Sequence, residues 1–408
     1  MNSTYKQIKP KRVLMILQTT FPPDIRVENE VLSLVKNSDE IHILCRNKGQ
    51  QKQRESWSDA IIHRLVHAKS PGFLKTILQI PVFLNPYWFI RSAQIIRRYS
   101  IDVIHVHDLP LAPLAILLKY IFGLSIIYDM HENYPAALRV WKKRGLEYWL
   151  KHPAIFKLIE HISIRYFDRL IAVVDENKNR IIEEYKIPDN RVYVVSNYVN
   201  LDTFLANTPY DEIKFPSKQT KIFLYTGGLE IHRGMGITIE AFRRLSKDYE
   251  DVLLLIVGGG LSATGKKLEV ELKEKIEMDI HLKGKVILTG GIDIKYIPWL
   301  IEKSDYCLLP QGANDHTNTT IPHKIFQYMS FGKPVITADA LPAMRVISEA
   351  RGGYTFKSGN IDDYHSAMER ILKANYLEIS NSARNKTREL YSWYTAEREL
   401  LALYDSLH

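Results

Sequence analysis

The sequence has little cysteine, no uninterrupted apolar run long enough to span a membrane and no recognisable secretory signal. Only 2 of its 408 residues are cysteine, and Cys45 and Cys307 both lie in apolar stretches, which favours reduced core thiols over a disulfide. The apolar segment after Lys11 and Arg12 ends at Gln18 and is too short for a signal peptide. We therefore expect a cytoplasmic protein.

The most apolar segment, residues 73–90, is also interrupted. Lys75, Pro81, Asn85 and Pro86 leave no stretch of about 20 apolar residues for a transmembrane helix. We interpret the segment as an amphipathic or interfacial pair of helices.

Positive charge is concentrated in the N-terminal half. Residues 1–200 contain 29 Lys and Arg against 19 Asp and Glu, so this half accounts for the net charge of +9 of the whole chain. Basic residues there alternate with aromatic ones, as in residues 141–144 (WKKR) and 148–152 (YWLKH). This mixture favours an anionic membrane surface over nucleic acid, while an ordinary solvated basic face remains the alternative.

Length and pattern predict two α/β domains. With 46% hydrophobic and 25% charged residues, the chain can bury two cores. Short apolar runs alternate with longer segments of helical periodicity, which predicts parallel sheets. The predicted strands are 13–17, 41–45, 61–66, 103–106, 124–128, 170–174 and 192–195, then 221–225, 252–257, 286–288, 306–309 and 335–338. The polar, proline-containing segment 196–217 is the expected linker.

Residues 304–338 carry the strongest local signal. The strand 306–309 leads into a threonine-rich loop, and Pro322 opens a helix that ends at Gly332. Ligands of parallel sheets bind outside the carboxyl ends of strands, and a helix N-terminus there favours phosphate.

The run 322–336, PHKIFQYMSFGKPVI, resembles the donor-site helix of retaining glycosyltransferases of family 4, which have the GT-B fold. Segments that agree in order are DIRVENE at 24–30, IHVHDLP at 104–110, YDMHE at 128–132 and VVSNYVN at 194–200. The resemblance spans nearly the whole chain.

The resemblance implies two Rossmann-like domains with parallel sheets that face each other across a cleft. The N-terminal acceptor domain is expected at 1–199, with the C-terminal helix, 386–408, returning to it. Residues 200–385 would bind the nucleotide sugar.

Transfer of a sugar from a nucleotide needs cations or backbone N–H groups that stabilise the departing diphosphate. Arg233 is our first candidate because a guanidinium matches phosphate oxygens, and Lys324, in the first turn of the Pro322 helix, is the second; a plain surface lysine is the alternative. Together with these two catalytic cations, the predicted donor site contains Gly227, Gly228, Gly258, Gly259, Gly291, Ile292, Thr319, Thr320, Ile321 and Gln327.

The sequence departs from the family pattern at three positions. The family usually has a basic residue where Gly228 stands, and many members have two glutamates where Thr319 and Gln327 stand. An amide can still bind a ribose diol and a hydroxyl can still contact a sugar, but neither is charged. These losses motivate an alternative, a catalytically weakened binding or partner protein of the same fold.

On the acceptor side, the resemblance gives His131 the role of contacting the transferred sugar, with a satisfied core histidine as the alternative. The other predicted acceptor-side residues are Arg26, His107, Asp108 and Glu132. No residue is an evident nucleophile, so the resemblance implies front-face attack in which the leaving phosphate accepts the acceptor's proton.

A weaker pattern is GGGLSA at 258–263, which satisfies the dinucleotide fingerprint and raises an NAD-dependent oxidoreductase as a third hypothesis. The acidic residue expected about 20 positions later, at the end of the next strand, is missing. We interpret the glycines as a close-approach loop near the sugar nucleotide, or as a tight turn.

The resulting hypothesis is a cytoplasmic, peripheral membrane enzyme of surface polysaccharide or glycolipid synthesis. Its expected partners are a nucleotide sugar, with UDP-sugars favoured, a lipid-linked or saccharide acceptor and an anionic membrane, but no nucleic acid. We expect no tightly bound cofactor and no requirement for a metal.

Overall fold

The computed structural model describes residues 10–47, 49, 51–65, 85–141, 151–205, 208–210, 212, 213, 215 and 219–407. These residues form two units, one made of Met1–Ser196 with Ala396–His408 and one made of Asn197–Thr395. Each unit is built on one sheet, and both predicted α/β domains are confirmed.

The described residues of unit 1 form a sheet of eight strands in the order β3-β4-β2-β1-β5-β6-β7-β8. The strands are β1 Arg12–Ile16, β2 Glu40–Cys45, β3 Arg54–Trp57, β4 Ala60–Arg64, β5 Val103–His107, β6 Ser125–Met130, β7 Arg169–Ala172 and β8 Val192–Val194. All neighbours pair in parallel except β3 and β4, which are antiparallel. The predicted parallel sheet therefore has one antiparallel edge.

The described α-helices of unit 1 cover this sheet. They are α1 Ile25–Lys36, α2 Pro86–Tyr99, α3 Ala112–Phe122, α4 Tyr134–Val140, α5 Pro153–Ser163, α6 Asp175–Tyr185 and, from its fourth residue, α15 Trp393–Asp405. Helices α2, α3 and α5 share one core with the strands, through buried residues such as Trp88, Leu118 and Phe156. Local signals set their ends: Asn85 caps α2 with Pro86 at its first position, and Gly123 ends α3 in a left-handed conformation.

In unit 2, six parallel strands are found in the described part of the chain, in the order β11-β10-β9-β12-β13-β14. They are β9 Lys221–Thr226, β10 Val252–Val257, β11 Val286–Leu288, β12 Tyr306–Leu309, β13 Val335–Ala338 and β14 Gly353–Phe356. The helices are α7 Leu201–Phe204, α8 Met235–Asp248, α9 Ala263–Met278, α10 Ile297–Lys303, α11 His323–Ser330, α12 Leu341–Ala350, α13 Ile361–Lys373 and α14 Tyr376–Leu390.

The boundary near the C-terminus differs from the predicted 386. Helix α14 packs on α11 and α12 of unit 2, where Arg384 donates to the carbonyl of Phe331 at 3.0 Å and Ser382 donates to that of Ala350 at 2.6 Å. Only from Ala396 does the chain belong to unit 1. There Tyr404 contacts His105 at 2.9 Å.

Candidate functional site

In unit 2, two glycine loops leave the carboxyl ends of the neighbouring strands β9 and β10. Gly227 and Gly258 have φ angles of 132° and 138°, which favour glycine. The N–H of Gly227 donates to the carbonyl of Val257 at 2.7 Å, and a Cβ on Gly258 would lie 2.1 Å from the carbonyl oxygen of Gly227. Only glycine permits this close approach of the two backbones.

The two predicted cations meet beside these loops. The Nζ atom of Lys324 lies 4.8 Å from the centre of the Tyr225 ring, and a Cβ on Gly227 would lie 2.0 Å from that Nζ. The Nε atom of Arg233 is buried and has no hydrogen-bond partner in the ranges that the structure describes. Within the described part of the chain, neither Lys324 nor Arg233 forms an ion pair with a carboxylate.

The electrostatics of this pair favour an anion. Burial, and secondarily the charge of Arg233, lower the pKa of Lys324 to about 7. Burial raises the pKa of Tyr225, and Arg233 opposes that rise. A diphosphate between the cations would relieve their repulsion and restore the charge of Lys324.

The helix after the threonine-rich loop begins as predicted, with Pro322 as the N-cap of α11. Asn197 donates to the carbonyl of Ile321 at 3.1 Å and so holds the loop that leads into the helix. Thr319 donates its hydroxyl proton to backbone carbonyls, so the remaining role for this hydroxyl toward a sugar is to accept. Thr320 is extended and half-buried.

Gln327 does not lie on an exposed helix surface. It is 8% exposed, in a helix whose neighbouring Tyr328 hydroxyl contacts the hydroxyl of Thr226 at 2.8 Å. A buried amide is consistent with the predicted ribose contact but does not test it.

The loop at 258–263 has its N–H groups engaged by nearby carboxylates. Gly260 donates to Glu269 at 2.8 Å and Ser262 donates to Glu230 at 3.0 Å. These bonds occupy donors that a dinucleotide pyrophosphate would need, which argues against the NAD hypothesis. The other predicted donor-site residues lie near this loop or follow the neighbouring strand. Gly228 packs near Leu261. Gly291 and Ile292 follow β11, and Gly291 lies beside Gly259.

In unit 1, the predicted acceptor-side residues form a buried charge network with residues that the sequence did not single out. Arg26 donates to both oxygens of Asp129, at 3.0 and 2.7 Å, and contacts Glu30 at 3.1 Å. His107 and His131 contact each other at 3.0 Å and lie 3.3 and 3.1 Å from the same Asp129 carboxylate. Because Arg26 is buried and engaged, we interpret it as a positioning residue rather than an acceptor contact.

The pKa values of the network follow from burial and pairing. Burial opposes charge on His131, but Asp129 and Asp108 raise the pKa of His131 to about 10. Burial would raise the pKa of Asp129, yet Arg26 and His131 hold it well below its usual value. The neighbouring carboxylates thus favour the protonated form of His131, whose side chain is 22% exposed.

Asp108 and Glu132 follow directly after the two histidines. Asp108 has a φ of 74°, an unfavourable backbone angle of the kind that clusters at functional sites. Burial raises the pKa of Asp108 to about 7, against the opposing charge of His131. Glu132 is half-exposed beside His131.

The described residues contain one group that could hold a metal. Glu30, His105, His107 and Asp129 bring one potential ligand atom each within 4.8 Å of one another. The guanidinium of Arg26 already contacts both carboxylates of this group, so a metal ion would meet a fixed positive charge. The absence of a metal requirement stays a prediction.

Several of these residues lie in or beside the segments that resemble the family but were not among the predicted site residues. Asp129 and His105 stand in the segments 128–132 and 104–110, and Tyr225 is the last residue of a predicted strand, and all three are buried. The Arg26–Glu30 spacing of i,i+4 on a helix is the one local signal that could have indicated an ion pair.

Sequence comparison identifies both halves of the chain. The family model "Glycosyltransferase Family 4" matches residues 25–203, and "Glycosyl transferases group 1" matches residues 208–390. The chain belongs to the family 4, group 1 glycosyltransferases. This glycosyltransferase is accordingly an enzyme of the hexosyltransferase type, with a GT-B fold.

Individual relatives agree with this assignment. The glycosyltransferase is 22% identical to the "UDP-Gal:alpha-D-GlcNAc-diphosphoundecaprenol alpha-1,3-galactosyltransferase" of Escherichia coli, over 95% of this chain and 94% of that protein. Among solved structures, sucrose-phosphate synthase from Thermosynechococcus elongatus matches with a TM-score of 0.78 and 14% identity, covering 97% of this chain and 98% of that one. Anabaena HepE in complex with UDP and glucose matches with a TM-score of 0.70 and 16% identity, covering 97% and 100%.

Proposed function

We propose that this glycosyltransferase moves a sugar from a nucleotide-sugar donor, a UDP-sugar in the first place, to a lipid-linked or saccharide acceptor in surface polysaccharide or glycolipid synthesis. The observation that carries the proposal is the pair of cations Arg233 and Lys324 beside the Gly227 loop, which have no carboxylate partner among the described residues. The name of the E. coli relative specifies a UDP-galactose donor and a diphosphoundecaprenol acceptor, and the Anabaena structure contains UDP and glucose. Both support the proposed donor and acceptor classes.

The proposed mechanism retains the anomeric configuration. The bond from the anomeric carbon to the diphosphate oxygen breaks, and the acceptor oxygen forms its bond on the same face. The acceptor's proton passes to the departing phosphate oxygen, whose negative charge Arg233 and Lys324 stabilise. In this mechanism His131, as an imidazolium, is a donor to the transferred sugar.

A ligand screen tests the donor. A nucleotide sugar that binds only the folded protein raises its melting temperature by mass action, so UDP-, GDP-, ADP- and dTDP-sugars are compared at equal concentration. We expect a UDP-sugar to raise the melting temperature most. If none of the tested nucleotide sugars raises it, the proposal is contradicted. NMR of the product's anomeric proton tests the mechanism, since an inverted product contradicts front-face transfer.

We further propose that unit 1 binds an anionic membrane at the cytoplasmic face. No helix in the described ranges is long and apolar enough to cross a bilayer. The sequence segments that predicted membrane binding, 73–90, 141–144 and 148–152, lie largely within residues 66–84 and 142–150, which are outside the described residues. Of the described residues at their ends, Trp88 is buried in the core and Trp141 is partly buried and packs against it.

A different surface supports membrane binding. Exposed apolar side chains share one face of α3 and one face of the adjacent α5, because their spacings are three, four and seven residues. They are Leu117, Tyr120, Ile121, Ile155, Leu158 and Ile162. We call this set the α3–α5 surface. Its apolar exposure in the basic half of the chain suits a shallow, reversible contact with anionic lipid.

Co-sedimentation with vesicles tests this surface. Leu158→Ser with Ile162→Ser should lower the bound fraction, as should Lys142, Lys143 and Arg144 changed to Ser, and salt should release the protein. Ile280→Ser, which changes an even more exposed apolar residue of unit 2, is the control and should leave binding unchanged. If the protein binds neutral and anionic vesicles equally, or binds neither, the basic residues of the N-terminal half are an ordinary solvated surface and the membrane proposal is wrong.

A further inference from the structure

A cavity of about 320 Å³ lies at the antiparallel edge of the unit 1 sheet, apart from the charge network. Its lining includes Gln53, Arg54, His63, Arg91, Arg98 and Tyr99. The volume is at the small end of the range of about 300–1,000 Å³ that small-molecule sites occupy. No residue predicted for either substrate belongs to it.

Two elements bring the three arginines together. In the β3–β4 pair, Arg54 lies directly opposite His63, so both side chains point to the same side of the sheet. Arg91 and Arg98 are seven residues apart on α2 with buried Ile95 between them, so they share one helical face. The sheet edge and the helix thus form two walls of one basic cavity.

Nothing in the described chain neutralises these arginines. None of Arg54, Arg91 and Arg98 forms an ion pair with a carboxylate among the described residues, and nearby Glu55 instead contacts Arg64. Arg91 donates to Gln94 at 2.8 Å, while its buried Nε atom has no hydrogen-bond partner within the described ranges.

The aromatic rings of Tyr99 and His63 lie beside the arginines and carry no negative charge. The guanidinium carbons of Arg54 and Arg98 lie 5.8 and 5.5 Å from the centre of the Tyr99 ring. Burial first, then His42 and the three arginines, lower the pKa of His63 to about 3, so His63 is neutral. The cavity therefore combines a neutral polar floor with three guanidinium groups.

We propose that this cavity binds a phosphate group, as a monoester or a diphosphate, between Arg91 and Arg98 of α2 and Arg54 of β3. Three guanidinium forks offer more donors than one carboxylate can accept, whereas phosphate oxygens can accept from several at once. The same chemistry is presented by a phospholipid head group and by a water-soluble phosphate compound. The proposal concerns unit 1 alone and holds whichever donor sugar the enzyme uses.

Calorimetric titration with pyrophosphate tests the proposal directly. The titration uses protein that carries Arg233→Ala, so that the donor site contributes little. Adding Arg91→Gln or Arg98→Gln should weaken pyrophosphate binding about tenfold or more, because each removes a charged donor. Arg97→Gln is the matched control: Arg97 is exposed on the same helix but lies over Phe122, away from the cavity, and its loss should leave the affinity unchanged.

Vesicles distinguish the two sources of phosphate. The site binds a lipid if the protein binds phosphatidic acid vesicles but not pyrophosphate, and if Arg91→Gln lowers the vesicle binding while Arg97→Gln does not. Pyrophosphate binding that depends on Arg91 supports it with a soluble ligand. If the Arg91, Arg98 and Arg97 variants behave alike toward both probes while their melting temperatures match the parent's, the proposal is overturned.

Discussion

The two units differ in whether their charged side chains are paired with opposite charge. In unit 1, Arg26 donates to both oxygens of Asp129, so positive and negative charge match inside the protein. In unit 2, Arg233 and Lys324 lie close together without a carboxylate partner among the described residues. Breaking a buried pair leaves an isolated charge, whereas removing one of two unpaired cations relieves repulsion. We therefore expect substitutions in the first group to lower stability and substitutions in the second to lower activity.

Arg26→Ala should have the largest effect. It leaves the Asp129 carboxylate buried without its main partner, which typically costs about 3–5 kcal/mol of the free energy of unfolding. Urea denaturation measures this loss. Arg12→Ala is the control, because the Arg12–Asp102 pair is solvent-accessible and its loss should lower the free energy of unfolding far less. Similar losses in both variants would contradict the distinction between the units.

Arg233→Ala should lower kcat about a hundredfold, or about 3 kcal/mol, because one fixed donor to the developing diphosphate charge is lost. Steady-state kinetics measures the rate, and the melting temperature should stay near that of the parent. Arg244→Ala, which removes an exposed arginine paired with Asp362, should leave kcat unchanged. Unchanged turnover in the Arg233 variant would remove this residue from the mechanism.

The charge of Lys324 should make donor binding depend on pH. Because the pKa of Lys324 is lowered to about 7 in the free enzyme, the side chain is a cation below that pH and loses its charge above it. Affinity for a nucleoside diphosphate should then fall by up to about tenfold per pH unit as pH rises from 7 toward the higher pKa in the complex. Titrations at several pH values measure this. Lys324→Arg should abolish the dependence, and a parallel slope in both proteins would refute the assignment.

Gln327→Glu should have the smallest effect. Both side chains reach the same distance, and the carboxylate accepts from two ribose hydroxyls without a competing NH₂, so nucleotide affinity should be kept or increase. Gln327→Ala should weaken it. If affinity responds to neither substitution, Gln327 does not contact the ribose.

Secondary structure followed from the sequence wherever an apolar run had clear ends. The strands β10, β12 and β13 have the predicted bounds. The edge strands β3 and β14, with the sequences RESW and GYTF, were missed because neither is an apolar run. Pairing with β4 and β13, and not local preference, makes them strands.

The candidate sites were predictable to the extent that strand ends define them. The Gly227 loop and the start of α11 follow predicted strands, so their residues could be named from the sequence. Arg26 pairs with Asp129, and Lys324 lies over the ring of Tyr225. In each pair the two residues are about 100 positions apart in sequence, and only the sheet order brings them together. The arginine cavity was missed for the same reason, since Arg54 lies on an unpredicted strand.

The return of residues 396–407 to unit 1 constrains the order in which the protein is completed during synthesis. His105 on β5 and Arg169 on β7 of unit 1 contact Tyr404 and Ser406, which are translated after unit 2. All of unit 2 is translated before these contacts can form, although most of unit 1 precedes it. A nascent chain thus holds an incomplete unit 1 while unit 2 folds, and the contacts of unit 1 with α15 form only afterwards.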